Sequence, residues 1–142
     1  MHTTLDGEGA RLYGGRWNPE GTPMVYAAGS RSLAALEYLV HLDVASTPDN
    51  LVLLTVQIPD DVRVDSIELA ALPDGWTHVA DHPFCVNAGD AWQQSASSLA
   101  LRVPSALMPE ESIYLINPSH PDIGRVTSAS RPFAFDRRLV ES

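Results

Sequence analysis

Lysine is missing from this sequence. All 9 basic side chains are arginine, against 18 acidic ones, for a formal net charge of −9 over 142 residues. No run of basic residues interrupts that acidity. A surface built to track a nucleic-acid backbone is therefore excluded, whereas a small anion held by one or two placed arginines is not. Cysteine is nearly as scarce: Cys85 stands alone, which rules out an internal disulfide and fits a reducing compartment. No apolar stretch approaches the ~18 residues that a membrane helix requires. Met1–Asp6 lacks the basic and apolar regions of a secretory leader. The expectation is a cytoplasmic protein with no membrane contact and no direct nucleic-acid contact.

What is present is 44% hydrophobic residues, enough to bury a core at the length of one ordinary domain. Glycines 7, 9, 14, 15 and 21 punctuate the opening, which predicts a loop region over the first 23 residues. Pro23–Ala28 predicts a short strand. Ser30 or Ser32 then caps a helix over Leu33–Leu42, with Leu33, Leu36 and Val40 on one face. A turn at Thr47–Asn50 leads to Leu51–Ile58, a near-continuous apolar run that predicts a buried strand. Val62–Ile67 predicts a further strand. Leu72–Gly89 reads as irregular, and Asp90 as the cap of a helix reaching Ala100. An extended stretch over Leu101–Ala106, a strand at Ser112–Ile116 and a last short strand within Pro132–Asp136 complete the chain. Strands outnumber helices in mixed order, so the fold class is a single α+β domain with a central mixed or antiparallel sheet.

Chemistry concentrates in Gly14-Gly15-Arg16-Trp17-Asn18. Adjacent glycines let the backbone approach a ligand closely. Arginine offers a planar fork that matches phosphate in bidentate fashion. Trp17 supplies a rigid wall and Asn18 an amide that can hold the turn. The segment reads either as a clamp for a pyrophosphate or as a surface turn whose arginine stacks on its own tryptophan. Tyr26 lies on the first strand and offers a face to a flat, positively charged ring such as nicotinamide, or is a half-buried strand tyrosine. Glu37 sits mid-helix beside an apolar stripe. A half-buried carboxylate there can stabilise the oxocarbenium-like transition state of N-glycosidic cleavage or hold ribose hydroxyls. The alternative is a solvated helix glutamate paired with His41 at i+4. His78 and His82, with Asp81 between them, lack a third ligand at a recognisable spacing, so no metal is expected. Cys85 has no activating setting, and Ser105 is not in a Gly-x-Ser-x-Gly elbow.

Taken together, the ordered blocks resemble the RES-domain toxin family. They are Gly7-Glu8-Gly9-Ala10, Gly14–Asn18, Val25-Tyr26-Ala27-Ala28, Ala35–His41, Val103-Pro104-Ser105 and Leu115–Pro121. The arginine, glutamate and serine for which the family is named fall on Arg16, Glu37 and Ser105. The resemblance runs from Leu5 to about Leu139 and implies an ADP-ribosyltransferase-like fold. It implies a toxin of a bacterial toxin–antitoxin pair that consumes NAD by cleaving the nicotinamide–ribose bond, through hydrolysis or phosphorolysis. Transfer of ADP-ribose to a protein is the alternative activity, and binding of an antitoxin or NAD without turnover a second one. By carry-over, Gly15, Arg16, Trp17, Asn18 and Tyr26 hold the nucleotide. Arg16 takes the phosphates, Tyr26 packs on nicotinamide, Glu37 stabilises the ribosyl cation and Ser105 supports or orients that site. The implied partners are an Xre-type antitoxin that blocks the NAD pocket and a second copy in a homodimer. Family members open on a short strand with an aromatic–arginine pair. No such strand precedes Gly7 here, so the expectation is a RES domain over 1–142 without it.

Overall fold

The structure is a computed structural model and describes residues 5–42 and 48–141. The expected turn at Thr47–Asn50 lies partly outside these residues, as does most of the segment ahead of Gly7 on which the missing-strand expectation rests.

The glycine-rich opening is not all loop. It holds a short helix, α1 (Glu8–Tyr13), flanked by Gly7 and Gly14, whose positive φ suits glycine at the helix ends. Gly7 (φ 70°) enters it and Gly14 (φ 72°) leaves it, the latter donating its N–H to the Ala10 carbonyl at 2.8 Å. Strand β1 (Val25–Ala28) follows, and Ser30 then caps α2 (Arg31–Val40), its side chain accepting from the Leu33 N–H at 3.1 Å. Leu33 is the residue α2 buries, whereas Leu36 and Val40 remain exposed.

The main sheet has the order β1-β5-β4-β3, with β3 (Val64–Ser66), β4 (Ala100–Pro104) and β5 (Ser112–Ile116). β1 and β4 both run antiparallel to β5, and β3 runs parallel to β4, which gives the mixed sheet of an α+β domain. β2 (Val52–Gln57) stands apart, paired antiparallel with β6 (Thr127–Pro132) in a two-stranded ladder. The apolar run therefore gives a half-buried strand rather than the buried one expected, because its ladder partner is a strand exposed along its whole length.

Two further expectations are corrected. The second long helix is α3 (Pro83–Ser95), not a helix from Asp90 to Ala100. Pro83 does not break it but begins it, since the first turn has no use for the N–H that proline lacks. His82 is the cap, its Nδ1 accepting from the Phe84 N–H at 3.1 Å. Ala96, in left-handed backbone (φ 51°), ends it. The last strand, β6, ends at Pro132 instead of running through Pro132–Asp136, and Asp136 caps a short helix, α4 (Arg137–Val140).

Register defines the core. Tyr26 pairs with Leu115, and Leu115 with Leu101, so these residues share a face of the sheet. Leu101, Val103 and Leu115 on that face pack with Trp17, Met24, Trp76, Cys85 and Trp92. Trp17 and Trp76 lie with ring centroids 6.4 Å apart. Helix α3 approaches so closely that a side chain at Gly89 would run into the Trp17 carbonyl.

Gly89→Ala is accordingly expected to destabilise the protein by about 1–3 kcal/mol, the range for overpacking a close contact. Gly9→Ala on α1, where nothing lies within 4 Å of an added Cβ, is expected to be neutral or stabilising by up to about 1 kcal/mol. Denaturant unfolding of the two variants checks the contrast; equal midpoints would contradict it.

Candidate functional site

The turn that carries Arg16 is closed by the Gly15 N–H, which donates to the Asn18 carbonyl at 2.9 Å. Its next residue turns inward: Trp17 is 1% exposed and sits in the core. Asn18 is equally buried. Its Nδ2 donates to the carbonyls of Ala10, Pro19 and Thr22 at 2.9, 3.0 and 3.0 Å. Both side chains expected against the nucleotide therefore support the segment from behind. Asp90, expected as a helix cap, accepts instead from the Thr22 hydroxyl at 2.7 Å and ties the exit of this segment to α3.

Arg16 is half-buried. Its Nη1 donates to the carbonyls of Trp76 and Val79 at 2.9 and 3.0 Å, and its Cζ lies 5.8 Å from the centre of the Trp76 ring. The arginine thus stacks on Trp76 rather than on its own Trp17. Those two carbonyls occupy one corner of the guanidinium; among the described residues, Nε and Nη2 have no hydrogen-bond partner. That edge can still receive an anion in bidentate fashion. Arg16 also stands close enough to α3 for its charge to oppose, in part, the upward pull of burial on the Cys85 thiol pKa. Cys85 itself is fully buried.

Tyr26 divides into two parts. Its hydroxyl donates to Asn18 Oδ1 at 2.6 Å and accepts from the Trp17 N–H at 2.9 Å, while the residue as a whole is 38% exposed. The hydroxyl is the end held by the protein. Burial raises the phenol well above its ordinary pKa, against the smaller opposing effects of the Trp17 N–H and the Arg16 charge.

Glu37, half-buried on α2, accepts from the Ser105 hydroxyl at 2.8 Å. Ser105 is fully buried just past β4, and its Oγ accepts from the N–H groups of Leu107 and Met108, both at 3.1 Å. A serine hydroxyl has one proton and two lone pairs. With both lone pairs engaged, the proton has one destination, the Glu37 carboxylate. The i+4 pairing with His41 that the sequence allowed is not made among the described residues; Glu37 finds its partner across the fold.

The four residues thus form two pairs, Arg16 with the Tyr26 turn and Glu37 with Ser105. No hydrogen bond or ion pair joins one pair to the other among the described residues. Tyr26 and Ser105 share a face of the sheet nonetheless. Alternation along β4 carries that face from Leu101 through Val103 to Ser105, whose N–H extends the ladder to the Glu111 carbonyl at 2.9 Å. A cavity of about 230 Å³ lies elsewhere, lined by Ala27, Val56, Ile58, Tyr114 and Ile116 among others, with none of Arg16, Tyr26, Glu37 and Ser105 in its wall. His82 is committed to capping α3, and no cluster of three metal-ligating side chains occurs among the described residues. Sequence reasoning missed the backbone groups that complete the site: the carbonyls on Arg16 and the N–H groups on Ser105. It also missed Gly89, which a lone glycine inside a helical pattern could have signalled.

The RES domain model matches this chain over residues 1–138. The chain is 41% identical to the Prs ADP-ribosylating toxin of a Sphingobium species, over 96% of this chain and 86% of that one. It is 39% identical to Toxin Res of Yersinia enterocolitica, over 98% and 92% of the two chains. It is 37% identical to Toxin Res of Pseudomonas putida, over 97% and 94%. The chain belongs to the RES-domain family, and its fold is ADP-ribosyltransferase-like.

The raised phenol fixes the sign of a pH effect. Unfolded Tyr26 ionises near its ordinary value of about 10, while the folded residue stays protonated to higher pH. Its contribution to stability is therefore complete below about pH 10 and is lost as pH climbs above that value. The unfolding free energy of the wild type should fall more steeply above pH 10 than that of Tyr26→Phe; parallel curves would show that the hydroxyl is not enclosed.

Proposed function

We propose that this chain is a toxin that consumes NAD by breaking the bond between nicotinamide and ribose. The observation that carries the reading is the Ser105–Glu37 pair, which holds a half-buried carboxylate in a fixed orientation, with Glu37 Oε1 accepting from Ser105 at 2.8 Å. Cleavage passes its electron pair to the nicotinamide nitrogen, which leaves neutral, and positive charge develops at C1′ of the ribose. A fixed carboxylate stabilises that charge more than the ground state, the condition for raising the rate rather than tightening binding. The open edge of Arg16 takes the pyrophosphate, and the ring of Tyr26, a partly exposed residue, packs against nicotinamide. Water, or inorganic phosphate in phosphorolysis, then attacks C1′ and gives up a proton to solvent.

A second reading keeps the bond cleavage and changes the acceptor to a protein side chain. It is favoured by the Sphingobium relative, named an ADP-ribosylating toxin, at 41% identity. Labelled NAD in a cell lysate separates the two, because transfer leaves label on a protein band and hydrolysis does not. The relatives named Toxin Res support a toxin held in check by an antitoxin. We assign that partner to the Xre type, with the toxin acting in the cytoplasm as a homodimer within the complex. The net charge of −9 suits a DNA-binding partner with a basic face.

Purified protein incubated with NAD should release nicotinamide, and expression without the antitoxin should arrest growth. Glu37→Gln should lower kcat by roughly 100-fold or more, because an interaction made chiefly in the transition state is removed. Ser105→Ala, which frees the carboxylate without removing it, should cost less. An absence of nicotinamide release with water, phosphate and lysate alike would leave only a binding protein and sink the proposal.

A further inference from the structure

We propose that Asn18 is a positioning residue for NAD: it acts through the Tyr26 hydroxyl and the Trp17 N–H to fix the turn that presents Arg16. The inference rests on the reading of Arg16 and Tyr26 as the groups that hold NAD.

At 1% exposure, Asn18 cannot itself touch a ligand. Its carboxamide nonetheless reaches one group that can, the Tyr26 side chain, and the backbone of the segments around it. Nδ2 faces three carbonyls, which settles the orientation of the amide, because an oxygen there would find no donor. Those carbonyls belong to α1 (Ala10), the turn (Pro19) and the approach to β1 (Thr22). Oδ1 is thereby turned toward Tyr26 and takes the hydroxyl proton at 2.6 Å. The hydroxyl oxygen is then left to accept the Trp17 N–H at 2.9 Å, one residue beyond Arg16. The polarity of the chain from Trp17 N–H through Tyr26 to Asn18 is therefore set at the asparagine end. The same chain fixes the Tyr26 hydroxyl, and with it the position of the ring. Aspartate cannot replace Asn18, for it offers no donors to the three carbonyls. Gly15 completes the device: a Cβ there would lie 2.7 Å from Tyr26 Oη and 2.8 Å from Asn18 Oδ1, so a side chain at 15 would part the pair.

Steady-state nicotinamide release and thermal unfolding of the full chain test the proposal. A residue that only supports the fold would lower the active fraction, so kcat would fall with KM for NAD unchanged. A positioning residue moves Arg16 and Tyr26 off their ligand, so KM rises. Asn18→Ser and Gly15→Ala are both expected to raise KM roughly tenfold or more in molecules that remain folded, since small displacements of binding groups are costly. Gly15→Ala keeps every donor and acceptor of Asn18 and so reads the geometry even if Asn18→Ser does not fold. In Gly15→Ala/Tyr26→Phe the added methyl takes the space of the lost hydroxyl. The two effects should then fall short of multiplying, with KM no higher than in Tyr26→Phe alone. An unchanged KM in folded Gly15→Ala, or full multiplication in the double variant, overturns the proposal. If the wild type binds NAD without cleaving it, the function reading fails and calorimetric Kd values replace KM in the same comparison. Failure of the wild type to bind NAD at all overturns both.

Discussion

The burial of Trp17 decides where its neighbours go. An indole at 1% exposure, packed with Trp76 and closed off by Gly89, fixes a backbone turn that would otherwise be free to move with its glycines. Arg16 and Asn18 flank it in sequence and leave in different directions. Asn18 goes into the fold, and Arg16 goes toward the carbonyls of Trp76 and Val79 with one edge to spare. Glycines in such a segment invite disorder, and here the tryptophan supplies the apolar burial that opposes it. The same contact reaches β1, because the Trp17 N–H and the Asn18 amide share the Tyr26 hydroxyl.

The second half of the site is built by a different device with the same outcome. Ser105 receives two N–H groups from the turn after β4 and has only its proton to give. Glu37 takes it, and α2 is thereby tied to the far end of the face that bears Tyr26. In each half, the side chain expected to meet substrate is oriented by a fully buried polar residue that cannot meet it. Every buried side-chain nitrogen and oxygen among the described residues has a hydrogen-bond partner, so neither device leaves an orphaned polar group as its cost.

Much of this order was legible before the structure. Pro23–Ala28, Ser30 as a cap and Ser112–Ile116 were readable from local pattern because their burial and capping are local. The α+β class followed from the order of elements. Other features depend on context that periodicity does not carry. Pro83 reads as a breaker until a cap precedes it. β6, with the sequence Thr-Ser-Ala-Ser-Arg-Pro, has no apolar alternation and is held by its ladder to β2. Trp17, between an arginine and an asparagine in a glycine-rich run, reads as a surface wall. Only the packing of α3, distant in sequence, reveals it as core. The candidate site was legible as a family pattern in Arg16, Tyr26, Glu37 and Ser105. Its supports were not, because the groups on Arg16 and Ser105 are backbone carbonyls and N–H groups that no residue type announces.

A crystal structure of Glu37→Gln soaked with NAD tests the central claim most directly, since that variant should bind the intact dinucleotide and turn it over slowly. The account predicts pyrophosphate oxygens on Nε and Nη2 of Arg16, nicotinamide against the Tyr26 ring and the ribose C1′ beside the side chain at 37. A dinucleotide seated instead in the cavity between Ala27, Val56 and Tyr114, with Arg16 still bound only to Trp76 and Val79, would contradict it.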